Sequence, residues 1–205
     1  MSRLNLFLLF IFICLISLLS FTNALMPKEK VVFAVNCGGE EYEDTNGVNF
    51  VKDTGYYNAG TSSDYGLQYD ITLTKDMELY QTERWHSDSF IYSVPVSDPG
   101  HYVLVLKFSE VYFQKAGEKV FDIGLGKLRV IQNLDVFEKV GKAAAHDEFI
   151  EFDLLENNKI MVKDKEAEGA YDKKNKLLRI KFIKGQADNP KINAIAIVKG
   201  DLMGN

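Results

Sequence analysis

Cysteine is nearly missing from this chain: its 205 residues hold only Cys14 and Cys37. Cys14 lies in an apolar leader, so the remainder carries one thiol and no disulfide framework, and packing must hold it together. Cys37 is therefore expected to be a small buried residue. No Asn-x-Ser/Thr triplet occurs, so the chain itself offers no acceptor for an N-glycan. Basic residues are in deficit, 24 against 29 acidic, and form no stripe, which argues against nucleic acid or an anionic membrane surface as partner. No segment keeps a 3.6-residue apolar period for about ten residues, which excludes a helical bundle. Catalytic signatures are missing as well. His86, His101 and His146 are scattered without metal-ligand spacing, and neither a nucleophile elbow nor a phosphate loop occurs. Glu83, Glu110, Asp147 and Asp188 are carboxylates of the type a glycosidase uses, but no spacing singles out a pair. A non-enzymatic protein without metal or cofactor is expected.

What is present begins with the leader. After Arg3, residues 6–16 are eleven uninterrupted apolar residues, and Thr22-Asn23-Ala24 offers small residues for a signal peptidase. The run is short for a membrane span, which needs roughly 18 or more. Cleavage after Ala24 is expected, the rival being an uncleaved anchor. It would leave 181 residues, with 23 basic against 29 acidic for a net charge of −6. That length suits one domain with a substantial core.

From Val31 onward the pattern is short runs rich in β-branched and aromatic residues. Residues 31–36, 67–73, 90–94, 102–108, 120–123, 128–131, 149–154, 159–162, 177–183 and 192–198 read as strands. "LGKL" reads as a tight hairpin, Asp98-Pro99-Gly100 as a turn, and residues 136–140 as one helical turn. No linker or repeat divides the chain. One all-β antiparallel sandwich or barrel is expected.

Within residues 102–108, Tyr102, Leu104, Leu106 and Phe108 share one face, and Val103, Val105 and Lys107 the other. If the strand stops near Glu110, Tyr112 and Phe113 belong to a loop and can both face outward. Aromatic faces of this kind suit the C–H faces of pyranose rings, while carboxylates bind hydroxyls. Similar groups stand in "SSDYG" (Asp64, Tyr65, Gly66), "YQTERW" (Trp85, the sole Trp) and "GQADNP" (Asp188, Asn189). Each has a bland reading as core aromatic or simple turn.

The ordered string "FAVNCGGE", "SSDYG", "LYQTERW", "GHYVLVLKFSEVYF", "KVFDIGL", "LDVFEKVG", "AAHDE" and "FIKGQADNPKINAIAIV" resembles the malectin family, from about Val31 to Gly200. The resemblance implies a jelly-roll-like, galactose-binding-like antiparallel β-sandwich spanning residues 25–205. It implies a lectin of the endoplasmic-reticulum lumen that binds the α-linked diglucose of immature N-glycans, as in maltose or nigerose, in early glycoprotein quality control. Ribophorin I of the oligosaccharyltransferase is the partner it suggests. An alternative ligand is another glucan or a protein surface. Carried over onto this chain, the ligand contacts are Tyr65, Tyr112, Phe113 and Asp188, with Trp85 where animal members have Tyr. Trp85 enlarges the stacking face and loses a phenol hydroxyl. Asp64 and Gly66 support the site, and Gly66 permits close approach of sugar or backbone. Asp188 is expected to accept hydrogen bonds from sugar hydroxyls and to matter little for folding. Animal members continue into an acidic stretch and a membrane span. This sequence ends in "KGDLMGN", without apolar run or retrieval signal; no C-terminal membrane span is read in it, and the expectation is either a soluble protein retained through a partner or a sequence that lacks its natural end.

Overall fold

A computed structural model describes residues 26–202. The expected leader and its cleavage site fall outside those residues.

Three sheets form among the described residues. The largest runs, in spatial order, β12 (Lys165–Glu166), β11 (Ile160–Val162), β10 (His146–Leu154), β7 (Gly100–Phe108), β16 (Ala194–Lys199), β1 (Val31–Asn36), β3 (Asn49–Lys52) and β2 (Tyr42–Glu43). The second orders β13 (Tyr171–Asp172), β14 (Leu177–Ala187), β8 (Val120–Leu125) and β9 (Leu128–Leu134), with β6 (Phe90–Pro95) also on β14. The third is small: β15 (Lys191–Ile192), β5 (Glu83–Trp85) and β4 (Thr61–Ser63). The ladders are antiparallel except β1 against β3, where Val35 pairs with Val51 in parallel.

The two larger sheets close over the main core. Tyr102, Leu104, Leu106 and Phe108 of β7 meet Phe90 and Tyr92 of β6, Phe121 and Ile123 of β8, and Ile180 and Phe182 of β14. Phe90 stacks on Phe182 with ring centroids 5.0 Å apart. The other face of β7 is buried too. Val103 and Val105 join Ala34, Ala196, Val198, Phe50, Leu79 and Tyr80 in a second apolar cluster. β7 thus alternates between two interiors, which is why its sequence reads as a nearly unbroken apolar run. Lys107 is tolerated there because its ammonium donates to Asp147 at 2.8 Å and to the Tyr80 hydroxyl at 3.0 Å.

Several expectations hold. Cys37 is fully buried, and burial pushes its thiol pKa well up. "LGKL" is a two-residue hairpin in which Leu125 pairs with Leu128 and Gly126 has φ 56°. Val136–Val140 is a helical turn capped by Asp135, whose carboxylate accepts from the Glu138 N–H. One expectation fails. Residues 67–73 are not a strand; Tyr65–Gln68 is a 3-10 turn and Leu73 takes φ 63°. Leu67, Tyr69, Ile71 and Leu73 alternate in sequence, yet only Ile71 of the four is buried, so no ladder exploits the period. The apolar run 192–198 is also divided. Asn193 leaves the ladder, separating β15 in the small sheet from β16 in the large one.

Candidate functional site

β7 ends at Phe108, two residues before Glu110, and the chain then turns outward. One carboxylate oxygen of Glu110, Oε1, accepts from the backbone N–H groups of Tyr112 at 2.8 Å and Phe113 at 3.0 Å. That clamp presents two adjacent aromatics from a loop: Tyr112 is 65% exposed and Phe113 half-buried. Their rings meet edge-to-face at 5.1 Å, and Tyr112 meets Tyr65 at 5.9 Å.

Tyr65 reaches this position on the 3-10 turn. Gly66 follows because a Cβ there would lie 2.4 Å from the Gln81 carbonyl oxygen, so the close approach is to backbone. The Tyr65 and Tyr69 hydroxyls sit 3.5 Å apart; this hydrogen bond, followed by the charge on Tyr69, raises the Tyr65 pKa. Asp64 lies outside the cleft, and its carbonyl accepts the Leu67 N–H that opens the turn.

The small sheet supplies the opposite side. Alternation along β5 sends Glu83 and Trp85 into the cleft and Arg84 away from it. Arg84 is locked from behind. Its guanidinium is paired with Asp53 at 2.7 Å, its Nη1 donates to the Gly60 carbonyl at 2.9 Å, and its plane lies 3.4 Å over the Tyr57 ring. Lys191 pairs with Trp85 across the ladder and is buried, its ammonium donating to Glu83 Oε2 at 2.6 Å. Burial alone would lower the Lys191 pKa, but Glu83 and Glu110 outweigh it and hold the pKa above the ordinary lysine value.

Asp188 closes the ring with φ 54°, a left-handed conformation that Asp tolerates better than most residues. Its carboxylate does not stand free. Oδ2 accepts from the nearly buried Lys119 ammonium at 2.5 Å, and Lys119 also donates to Asn189 Oδ1 at 2.8 Å. The expectation that Asp188 matters little for folding is therefore corrected: its carboxylate holds the ammonium of a nearly buried lysine. Asn193 supports the same corner, donating to the Tyr80 and Thr82 carbonyls and accepting from the Ser109 N–H.

Tyr65, Trp85, Tyr112, Phe113 and Asp188 all line one cleft of about 430 Å³, together with Ser63, Glu83, Glu110, Lys119 and Lys191. The volume falls in the range of small-molecule sites, roughly 300–1,000 Å³. Sequence reasoning missed Lys119 and Lys191. Each stands just before an apolar run, where a lysine ordinarily reads as a solvated strand end, and only the tertiary pairing shows otherwise. Among the other carboxylates considered, Asp147 lies away from the cleft, paired with Lys107.

Fold and cleft together define a β-sandwich binding domain whose site is built from loops at one end of the sheets and from a small accessory sheet. The chain belongs to the malectin family: the family model for the Malectin domain matches residues 31–195. It is 41% identical over 176 residues to a Danio rerio protein named Malectin, covering 85% of this chain and 60% of that one. It is 42% identical over 174 residues to Homo sapiens Malectin, covering 84% and 58%. The chain thus spans about three fifths of the length of the curated relatives it matches. Solved structures agree on the galactose-binding-like sandwich. The ANXUR2 extracellular domain of Arabidopsis thaliana superposes with a TM-score of 0.68 at 16% identity, over 82% of this chain and 48% of that one. A Bacteroides uniformis β-glucuronidase does so with a TM-score of 0.59 at 19% identity, over 82% and 18%. At such identities the likeness concerns the fold.

Proposed function

We propose that this protein is a lectin of the endoplasmic-reticulum lumen that binds the α-linked diglucose of immature N-glycans without hydrolysing it. The observation that carries the reading is the convergence of Tyr65, Trp85, Tyr112, Phe113 and Asp188, from four separate segments, on one cleft. Three of the four rings belong to an edge-to-face series, Phe113–Tyr112–Tyr65, which offers flat apolar surface to pyranose C–H faces. Charged groups behind them orient polar hydroxyls. Binding of a neutral sugar by such groups requires no metal.

The carboxylates favour binding over hydrolysis. Glu83 is tied to Lys191 and Glu110 to two backbone N–H groups, so neither is poised as a mobile acid/base pair. Ribophorin I remains the partner that the family resemblance proposes. Among the described residues no helix is long and apolar enough to cross a membrane.

Trp85 supports a second reading, in which the larger wall selects a different glucan. A glycan array probed with the chain from Leu25 separates the two. Diglucosides at the head of the ranking support the first reading, another glucan supports the second, and silence toward all sugars overturns both.

A further inference from the structure

The two oxygens of Glu110 are used unequally. Oε1 accepts from the N–H groups of Tyr112 and Phe113. Oε2 is buried and has no hydrogen-bond partner among the described residues, although the side chain lines the cleft and the whole residue is 1% exposed. Lys191, the nearby cation, donates instead to Glu83. A buried acceptor without a donor costs the desolvation of that oxygen, and native proteins rarely leave one in this state without a use for it. One other such atom occurs among the described residues, Asp53 Oδ1. It belongs to the network behind Arg84 and does not line the cleft, so no ligand can reach it there.

We propose that Glu110 Oε2 is a hydroxyl-reading acceptor at the base of the cleft. Oε2 has almost no exposed surface, so it takes a hydrogen bond from one ligand O–H as the carboxylate shifts toward the cleft, while Oε1 of the same carboxylate fixes the aromatic walls. This deepens the sugar-binding reading and rests on it. The chemistry dictates the specificity: a carboxylate oxygen accepts and does not donate, so the ligand must present a donor at that point, which in a neutral sugar is a hydroxyl. An ether, a methylene or a carboxylate placed there leaves the oxygen unpaired or repelled. One side chain thereby couples loop shape to ligand identity.

Glu110→Gln tests this, because the amide keeps the shape and its carbonyl can still accept from both N–H groups, while the NH2 replaces an acceptor with a donor. The chain from Leu25, as wild type and E110Q, is titrated with maltose and with the monodeoxy maltoses, beside melting curves. Maltose should bind folded E110Q about tenfold more weakly than wild type. One monodeoxy analogue should bind wild type about tenfold more weakly than maltose does, and should bind E110Q no worse than wild type. The carboxyl carbon resonance of Glu110 in the wild-type protein should also move on saturation with maltose, a readout that stands even if E110Q fails to fold. Equal maltose affinity in folded E110Q, or an unmoved Glu110 resonance in maltose-saturated wild type, overturns the role of Glu110 and leaves the sugar site standing. A wild-type protein that binds no diglucoside overturns the sugar reading and this proposal with it.

Discussion

Phe108 and Tyr112 are four residues apart, and their surroundings could hardly differ more. Phe108 is fully enclosed in the main core, and Tyr112 is 65% exposed at the rim of the cleft. Between them the strand stops, and Glu110 turns its carboxylate back onto the loop's own N–H groups. The contrast shows how one stretch of chain can serve packing and then recognition. Inside the strand, alternation between two interiors decides where a ring goes; past Phe108, a side-chain clamp on the backbone decides it.

The largest expected effect lies on the Phe108 side. Phe108→Ala should lower stability by about 3–5 kcal/mol through cavity formation, measured by denaturant unfolding. A loss no larger than that of Tyr112→Ala would erase the distinction between core and cleft.

Asp188 sits between the two regimes, and its truncation should show both. Asp188→Ala should weaken maltose binding by tenfold or more and also cost about 1–3 kcal/mol of stability, because Lys119 loses its ion pair and keeps hydrogen bonds to Asn189 alone. Calorimetric titration paired with thermal melting reads both, and an unchanged melting temperature would show that the Lys119 pair contributes nothing.

Tyr112→Ala sharpens the comparison from the other end. Affinity for maltose should fall about tenfold, while stability moves by no more than about 0.5 kcal/mol, as for other exposed side chains. Collapse of the fold would return Tyr112 to the core.

The smallest effect near neutral pH concerns Lys191. Its folded pKa is raised, so its contribution is fully present below the unfolded value of about 10.4 and is lost as pH rises through the folded value. The stability difference between wild type and Lys191→Met should therefore stay flat from pH 6 to 9 and shrink only at more alkaline pH. A difference that already shrinks below pH 9 would contradict the raised pKa.

Much of the sandwich was legible in the chain. β-branched and aromatic runs marked β1, β6, β7, β8, β9, β10, β11, β14 and β16, because burying apolar surface on a pleated strand leaves a local imprint. Most of the short elements left none. The two to four residues of β2, β3, β4 and β5 are too few for a period, and residues 67–73 carried a period that no partner strand uses.

Sequence alone determined the all-β class, the burial of Cys37 and, through the ordered motifs of the family resemblance, the five residues that meet in the cleft. Only the tertiary structure decided that Lys119 and Lys191 are interior cations, that Asp188 is bound to one of them, and that Glu110 ties one oxygen to the loop and leaves the other buried without a partner. The physical reason is range. Strand patterning depends on neighbours a few residues away. The partners of these charges lie 69 residues off for Lys119 and 108 for Lys191, and a linear pattern does not record which distant groups burial brings together.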